Sequence, residues 1–142
     1  MRVLALDPGA ARLGLALSDA GGSLALPLDI LPRDAAEAWL KRLAQIIRER
    51  GVELLVVGLP LTLEGERGPA AEEAEALVQR LRAALPVAVV TWDERFSSAQ
   101  VEREMRRAGL SSRERRGAVD ASAAAIILQS YLDAHAKREE ET

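Results

Sequence analysis

The 142-residue sequence predicts a single α/β domain built on a five-stranded mixed sheet, three strands antiparallel and two parallel, with helices on both faces. Three observations carry that prediction. Three short apolar runs follow one another near the N-terminus with turn-sized gaps, the pattern of a meander. From about residue 34 the apolar period changes to that of helices, interrupted by two fully apolar runs of strand length. Strand, helix, strand, helix, strand is the order that right-handed parallel crossovers produce.

Residues 2–7 (RVLALD) and 13–18 (LGLALS) form a hairpin around the turn at 8–12. A third strand, 24–31, follows Gly21-Gly22, and Pro27 inside it marks an edge position because proline cannot donate to a ladder. Ala36, Trp39, Leu40, Leu43, Ile46 and Ile47 recur at helical spacing and predict a helix over 34–50, with Asp34 as N-cap and Gly51 as stop. ELLVVG at 53–58 reads as a buried strand. A loop holding Pro60, Gly65, Gly68 and Pro69 leads to a helix over 70–84 whose inner face is Ala74, Leu77, Val78, Leu81 and Leu85. After Pro86, VAVVTW at 87–92 is the last strand.

Beyond it the spacing predicts a helix over 97–108, capped by Ser97 and ended by Gly109, then the basic loop LSSRERRG. The final helix, 118–135, turns Val119, Ser122, Ala123, Ile126, Ile127, Ser130 and Tyr131 toward its packing side. One domain, 1–136, is followed by a charged tail, 137–142, expected to be disordered. This order of elements is that of the ribonuclease H-like fold.

Composition narrows the chemistry. With no cysteine, and a single histidine, His135, near the charged C-terminus, any metal would be held by carboxylates. Asp7 and Arg12 interrupt the N-terminal apolar run, and no stretch approaches the ~20 apolar residues of a membrane span, so a soluble cytoplasmic protein without a membrane partner is expected. A net charge of −3 argues against a general nucleic-acid coat protein. Yet Arg103, Arg106, Arg107, Arg113, Arg115 and Arg116 crowd one segment, so a local basic patch coexists with an acidic whole.

An aspartate, Asp7, ends the first, otherwise apolar strand. Burying a charge there is expensive unless it is paired or bound to a cation. The first strand runs parallel to the last two, so their C-terminal ends share one edge, where ligands of open α/β sheets bind. Asp93 and Glu94 lie just past the end of the last strand, and Asp120 lies in the first turn of the closing helix. Three distant carboxylates therefore converge on one edge, an arrangement that suits Mg²⁺ or Mn²⁺ and phosphodiester hydrolysis by a metal-activated water.

Blander roles compete. Asp93 also fits a helix cap, and Asp120 a favourable partner of the helix dipole. The arginine loop also fits a solvated surface. Asp19, at the opposite end of the hairpin from Asp7, reads as structural, Phe96 as core, and Glu94 suits a shared metal site better than Asp93. Arg12 and the arginines at 113–116 are placed to hold flanking phosphates.

Four blocks, LALDPGAARLGLALSD, VVGLPLTLEGERGP, DERFSS and VDASAAAIILQSYL, together resemble the YqgF/RuvX family, described as pre-16S rRNA nucleases and as Holliday junction resolvase-like. The resemblance spans nearly the whole chain, in the family's order. It implies a fold similar to RuvC resolvases and ribonuclease H, maturation of the 5′ end of 16S rRNA, and Asp7, Glu94 and Asp120 as the catalytic, metal-binding acids. It also implies Arg12 and the Ser97 hydroxyl as substrate contacts, although Ala11 stands where the family's Lys-Arg pair begins; Arg95 beside the acids, and Arg113 and Arg116 just before Asp120, are the further expected contacts. Gly58, Leu59 and Pro60 fall where RuvC-type enzymes carry an acid, so the site here leans on Glu94.

The leading expectation is a metal-dependent nuclease acting on precursor rRNA, with ribosome or assembly factors as further partners. A branched-DNA resolvase ranks second, because symmetric cleavage calls for a homodimer and nothing predicts more than a monomer or weak dimer. A non-catalytic ribosome-assembly factor is the third reading. No GxxxxGK loop supports an ATPase.

Overall fold

The most apolar run of the N-terminal half lies at the centre of the sheet. The computed structural model describes residues 1–61, 65–96 and 116–141, the last stretch with side chains for 123–136. Strands β1 (Val3–Pro8), β2 (Arg12–Ser18) and β3 (Ala25–Pro32) form the antiparallel meander. Helix α1 (Ala38–Arg50) leads to β4 (Leu54–Leu59), and α2 (Pro69–Ala84) to β5 (Ala88–Asp93). A single 3₁₀ turn, Glu94–Phe96, follows, and α3 (Arg116–Glu141) closes the described chain. The strand order is β3-β2-β1-β4-β5, with β1 parallel to β4 and β4 parallel to β5.

Alternation along the strands divides the core into two layers, since successive side chains point to opposite faces. Leu4 and Leu6 of β1, with Leu55 and Val57 of β4, pack against Trp39, Leu43 and Ile46 of α1 and Leu77 and Leu81 of α2. Val3 and Ala5 of β1, Ala16 of β2 and Val56 of β4 pack against Ala124, Leu128 and Leu132 of α3. The second layer is thin because alanines meet across it. Each fully buried Leu or Ile contributes about 1.5–3 kcal/mol, which makes the first layer the main source of stability.

Pro27 sits on an edge strand, as its missing donor requires. At the opposite edge the Arg82 guanidinium donates from Nε (3.1 Å) and Nη2 (2.9 Å) to the Val89 carbonyl of β5. A charged group on a strand edge discourages pairing with another chain.

Several expected boundaries shift. Asp34 does not cap α1. Its carbonyl accepts the Glu37 N–H (3.2 Å) in a turn, and the helix starts at Ala38 behind Glu37, whose backbone is left-handed (φ 57°). Arg80 of α2 pairs with the Glu37 carboxylate and lies 5.8 Å from the Trp39 ring centre, so a contact between helices sets this start. The stop is as expected: Gly51 adopts φ 65° and the Val52 N–H returns to the Ile47 carbonyl (3.0 Å) in a Schellman closure. In α3 the buried stripe centres on Ala124, Leu128 and Leu132, rotated from the expected one, and Ser130 and Tyr131 lie at its margin. The expected disordered tail is helical as far as Glu141, since Lys, Arg and Glu are good helix formers. The helix expected over 97–108 lies outside the described residues. Among the described residues no helix is long and apolar enough to cross a membrane.

Candidate active site

Asp7 is placed by the pleat. Val3 and Ala5 face α3, so Asp7, in step with them, faces α3 as well. It is 4% exposed. Its antiparallel partner is Gly14, and on the other side the ladder with β4 ends at Leu6↔Val57, one step short of Gly58. Asp7 therefore stands between two glycines on strands about 4.8 Å away, and neither neighbour has a side chain to crowd it.

The turn after Asp7 is tightly held. The Gly9 N–H donates to the Arg12 carbonyl (2.9 Å), and the Arg33 N–H donates to the Ala11 carbonyl (2.9 Å). Arg33 Nη1 donates to the Gly9 carbonyl (3.1 Å). A Cβ at Gly9 would lie 2.6 Å from the Arg12 carbonyl oxygen, so the turn accepts only glycine without moving.

Glu94 reaches the same face from the other direction. The pair Gly58↔Trp92 in the β4–β5 ladder puts Trp92 in step with Gly58, and Glu94 follows two residues later in the 3₁₀ turn. Its side chain is completely buried. A Cβ at Gly58 would lie 2.8 Å from Glu94 Oε1, 3.3 Å from Glu94 Cγ and 2.8 Å from Ile127 Cδ1. The Glu94 carboxyl group thus lies in the hollow above Gly58, and Gly58 neighbours Asp7.

Asp93 goes elsewhere. Its carboxylate accepts from Arg95 Nε (3.1 and 3.0 Å), Arg95 Nη2 (2.6 Å) and the Arg95 N–H (2.9 Å). Burial raises its pKa, but the hydrogen bonds and charge of Arg95 outweigh this and hold it below the ordinary aspartate value. Hydrogen bonding to Asp93 raises that of Arg95 in turn. Gly65, with φ 84°, lies against the same guanidinium, where a Cβ would be 2.9 Å from Nη1. Arg95, expected at the substrate, is paired here with Asp93 and lies against Gly65 in the loop before α2.

Asp19 behaves as expected for a structural acid. Its carboxylate accepts the Ser23 (2.8 Å) and Leu24 (3.0 Å) N–H groups across the β2–β3 turn. The Leu24 and Ser23 backbone bonds lower its pKa. Phe96 is not core: it is 63% exposed and meets Trp92 edge-on at 5.4 Å. Trp92 Nε1 donates to Ser130 Oγ (3.0 Å), which donates to the Phe96 carbonyl (3.0 Å), so α3 fastens the 3₁₀ turn that carries Glu94.

Of the remaining sequence candidates, Arg12 begins β2 on the far side of the turn from Asp7. Arg116 and Asp120 fall in the first turns of α3, where side chains are not described, and Asp120 precedes Ala124 by four residues and Ile127 by seven. Ser97 and Arg113 lie outside the described residues. Among the described residues no three His, Cys, Asp or Glu side chains gather as metal ligands, and Asp7 and Glu94 are the buried acids. Sequence reasoning missed Gly14, Gly58 and Ser130 as residues that shape the site. The signal for both glycines was that each interrupts an apolar strand, and Gly58 also falls where RuvC-type enzymes carry an acid.

The comparisons with known proteins agree in family and fold. A family model described as "RuvX: Holliday junction resolvase" matches residues 1–134. A protein of Desulforudis audaxviator named "Putative pre-16S rRNA nuclease" is 44% identical over 133 residues, 94% of each chain. One of the same name from an Anaeromyxobacter species is 46% identical over 133 residues, 94% of this chain and 97% of the relative. Among solved structures, Thermus thermophilus RuvC in complex with Holliday junction substrate superposes with a TM-score of 0.54 at 20% identity, covering 96% of each chain. The fowlpox virus resolvase bound to Holliday junction DNA gives 0.55 at 10% identity, over 95% of this chain and 99% of that one. These two likenesses establish the shared ribonuclease H-like fold.

Proposed function

The chain belongs to the RuvX family, and from that premise we propose that it is a divalent-metal-dependent nuclease that hydrolyses phosphodiester bonds in structured RNA. The observation that supports this best is the placing of two buried carboxyl groups, Asp7 and Glu94, on one face at the C-terminal edge of the sheet. Two carboxylates at neighbouring strand positions of one buried face are stable together when a cation lies between them.

The donor set fits a hard ion. Both described acids offer oxygen, the chain has no cysteine, and Mg²⁺ and Mn²⁺ prefer such ligands. Asp7 and Glu94 would hold the ion, with Asp120 as a third donor. When bound, it supplies Lewis-acid polarisation of the phosphodiester and a nucleophile at neutral pH. Arg12, Arg113 and Arg116 hold flanking phosphates, a positioning task suited to forked guanidinium donors, and Ser97 adds a hydroxyl contact. Gly14 leaves the β2 side of Asp7 uncrowded, and Gly58 makes room on the β4 side for the Glu94 carboxyl group.

The relatives' name points to precursor 16S rRNA as substrate; the resemblance of the four sequence blocks extends this to the 5′ end of that precursor, and to work in the cytoplasm alongside the ribosome or its assembly factors. The family description favours branched DNA as the second reading, on the same acids. A non-catalytic assembly factor is the third, and a monomer or weak homodimer suffices for the first.

The test is cleavage of matched labelled substrates by wild type and Asp7→Asn: a 16S precursor 5′ leader, generic single-stranded RNA and a four-way DNA junction, each with Mn²⁺, Mg²⁺ or EDTA. Metal-dependent cleavage of the leader, lost in a folded Asp7→Asn, is the expected result. Cleavage of the junction alone would replace the RNA reading with the DNA one. A folded wild type that cuts nothing would leave the assembly-factor reading.

A further inference from the structure

Glu94 is borne by the 3₁₀ turn after β5, an edge strand, yet its carboxyl group lies over β4 beside Asp7. What allows this is a gap. Gly58 is the β4 residue that neighbours Asp7 on the α3 face, and the point where its Cβ would sit is 2.8 Å from Glu94 Oε1. Any other residue there would occupy the space the carboxyl group now fills. We infer that Gly58 is a positioning residue whose missing side chain is the seat of the Glu94 carboxyl group, so that β4 and the turn after β5 together present one acid beside Asp7.

The inference deepens the nuclease reading and rests on it for its functional consequence. Its geometric part stands independently. The two atoms nearest the Gly58 position, Glu94 Oε1 and Ile127 Cδ1, are ends of side chains, and the third, Glu94 Cγ at 3.3 Å, belongs to the same flexible side chain as the first. Gly58→Ala is therefore accommodated by displacing them several tenths of an ångström while the backbone keeps its course. An aspartate carboxyl oxygen lies two bonds, about 2.4 Å, from its own Cβ. An aspartate at 58 thus delivers an oxygen close to where Glu94 now holds one.

The variants are made in an Ile127→Val background, which removes the Cδ1 atom that meets the same Cβ. Gly58→Ala is expected to raise the Mn²⁺ concentration for half-maximal cleavage by about 10–100-fold, the usual consequence of disturbing what orients a metal ligand. Gly58→Asp combined with Glu94→Ala is expected to recover at least ten times the cleavage of Glu94→Ala alone. A structural role for Gly58 does not predict that recovery.

Melting temperature gives a readout that needs no activity. The drop caused by Gly58→Ala is expected to vanish once Glu94→Ala has emptied the seat. Unchanged Mn²⁺ dependence in Gly58→Ala, no recovery by the relocated acid, or a melting drop independent of residue 94 would each overturn the seat. If wild type cuts nothing with either metal, the nuclease reading fails, and the melting-temperature coupling still decides the geometry.

Discussion

Gly9→Ala tests how rigidly the turn after Asp7 is held. The added Cβ falls 2.6 Å from the Arg12 carbonyl oxygen, whereas carbon–oxygen contacts settle at about 3.3–3.6 Å. That oxygen cannot simply retreat. It accepts the Gly9 N–H at 2.9 Å, and Arg12 is paired with Pro32 in the β2–β3 ladder. Relieving the overlap means stretching or losing the turn hydrogen bond, and overpacking of this kind costs about 1–3 kcal/mol. Replacing glycine restricts the unfolded chain and offsets about 0.4–1 kcal/mol of that. The net loss is therefore about 1–2 kcal/mol, or roughly 3–6 °C in Tm for a chain of this length.

Urea denaturation followed by circular dichroism, with thermal melting in parallel, measures it. Gly21→Ala is the control: its Cβ meets nothing nearer than Asp19 Oδ2 at 3.7 Å, so that variant should melt at or slightly above wild type. Cleavage by Gly9→Ala is expected to fall about tenfold or more, because the moved turn separates Asp7 from Arg12. A Gly9→Ala protein as stable as the Gly21→Ala control would refute the reasoning.

Three further outcomes follow from the same geometry. Asp93→Asn removes the acid that pairs with Arg95 and should lower stability at pH 7 by the small amount that a solvent-screened ion pair contributes. Because the folded pKa of Asp93 is depressed, its contribution is present above the ordinary aspartate value of 3.8 and is lost as pH falls through the lower folded value. Wild type and Asp93→Asn should therefore converge in acid, which urea titrations at a series of pH values would read. Ser130→Ala takes away the acceptor of Trp92 Nε1 and the donor to the Phe96 carbonyl. It should lower stability by about 1–2 kcal/mol and loosen the turn that carries Glu94, seen as a shift in tryptophan emission and a higher Mn²⁺ requirement. Asp19→Ala should lower Tm at neutral pH without changing cleavage, with the difference from wild type shrinking as pH drops through the lowered pKa of Asp19.

The sheet was legible because its signals are local. Run length, the period change near residue 34, and glycine or proline at the turns all act within a few residues, and Pro27 marked its strand as an edge through its own missing donor. Asp7 was legible for a related reason: a carboxylate that ends an apolar strand is costly wherever the strand goes. The start of α1 was not. A left-handed Glu37 is strained in isolation, and it is held by Arg80, 43 residues away on another helix, so no local rule finds it.

The sequence by itself determined the kind of fold and the edge of the sheet at which Asp7 and Glu94 lie. Tertiary structure decided which acid goes where. Asp93 and Glu94 are adjacent and chemically alike, and their fates differ because the β4–β5 register brings Trp92, and with it Glu94, into step with Gly58 while Arg95 turns back onto Asp93. The space that receives a side chain belongs to a neighbouring strand, and strand register is a property of two segments together that neither contains alone.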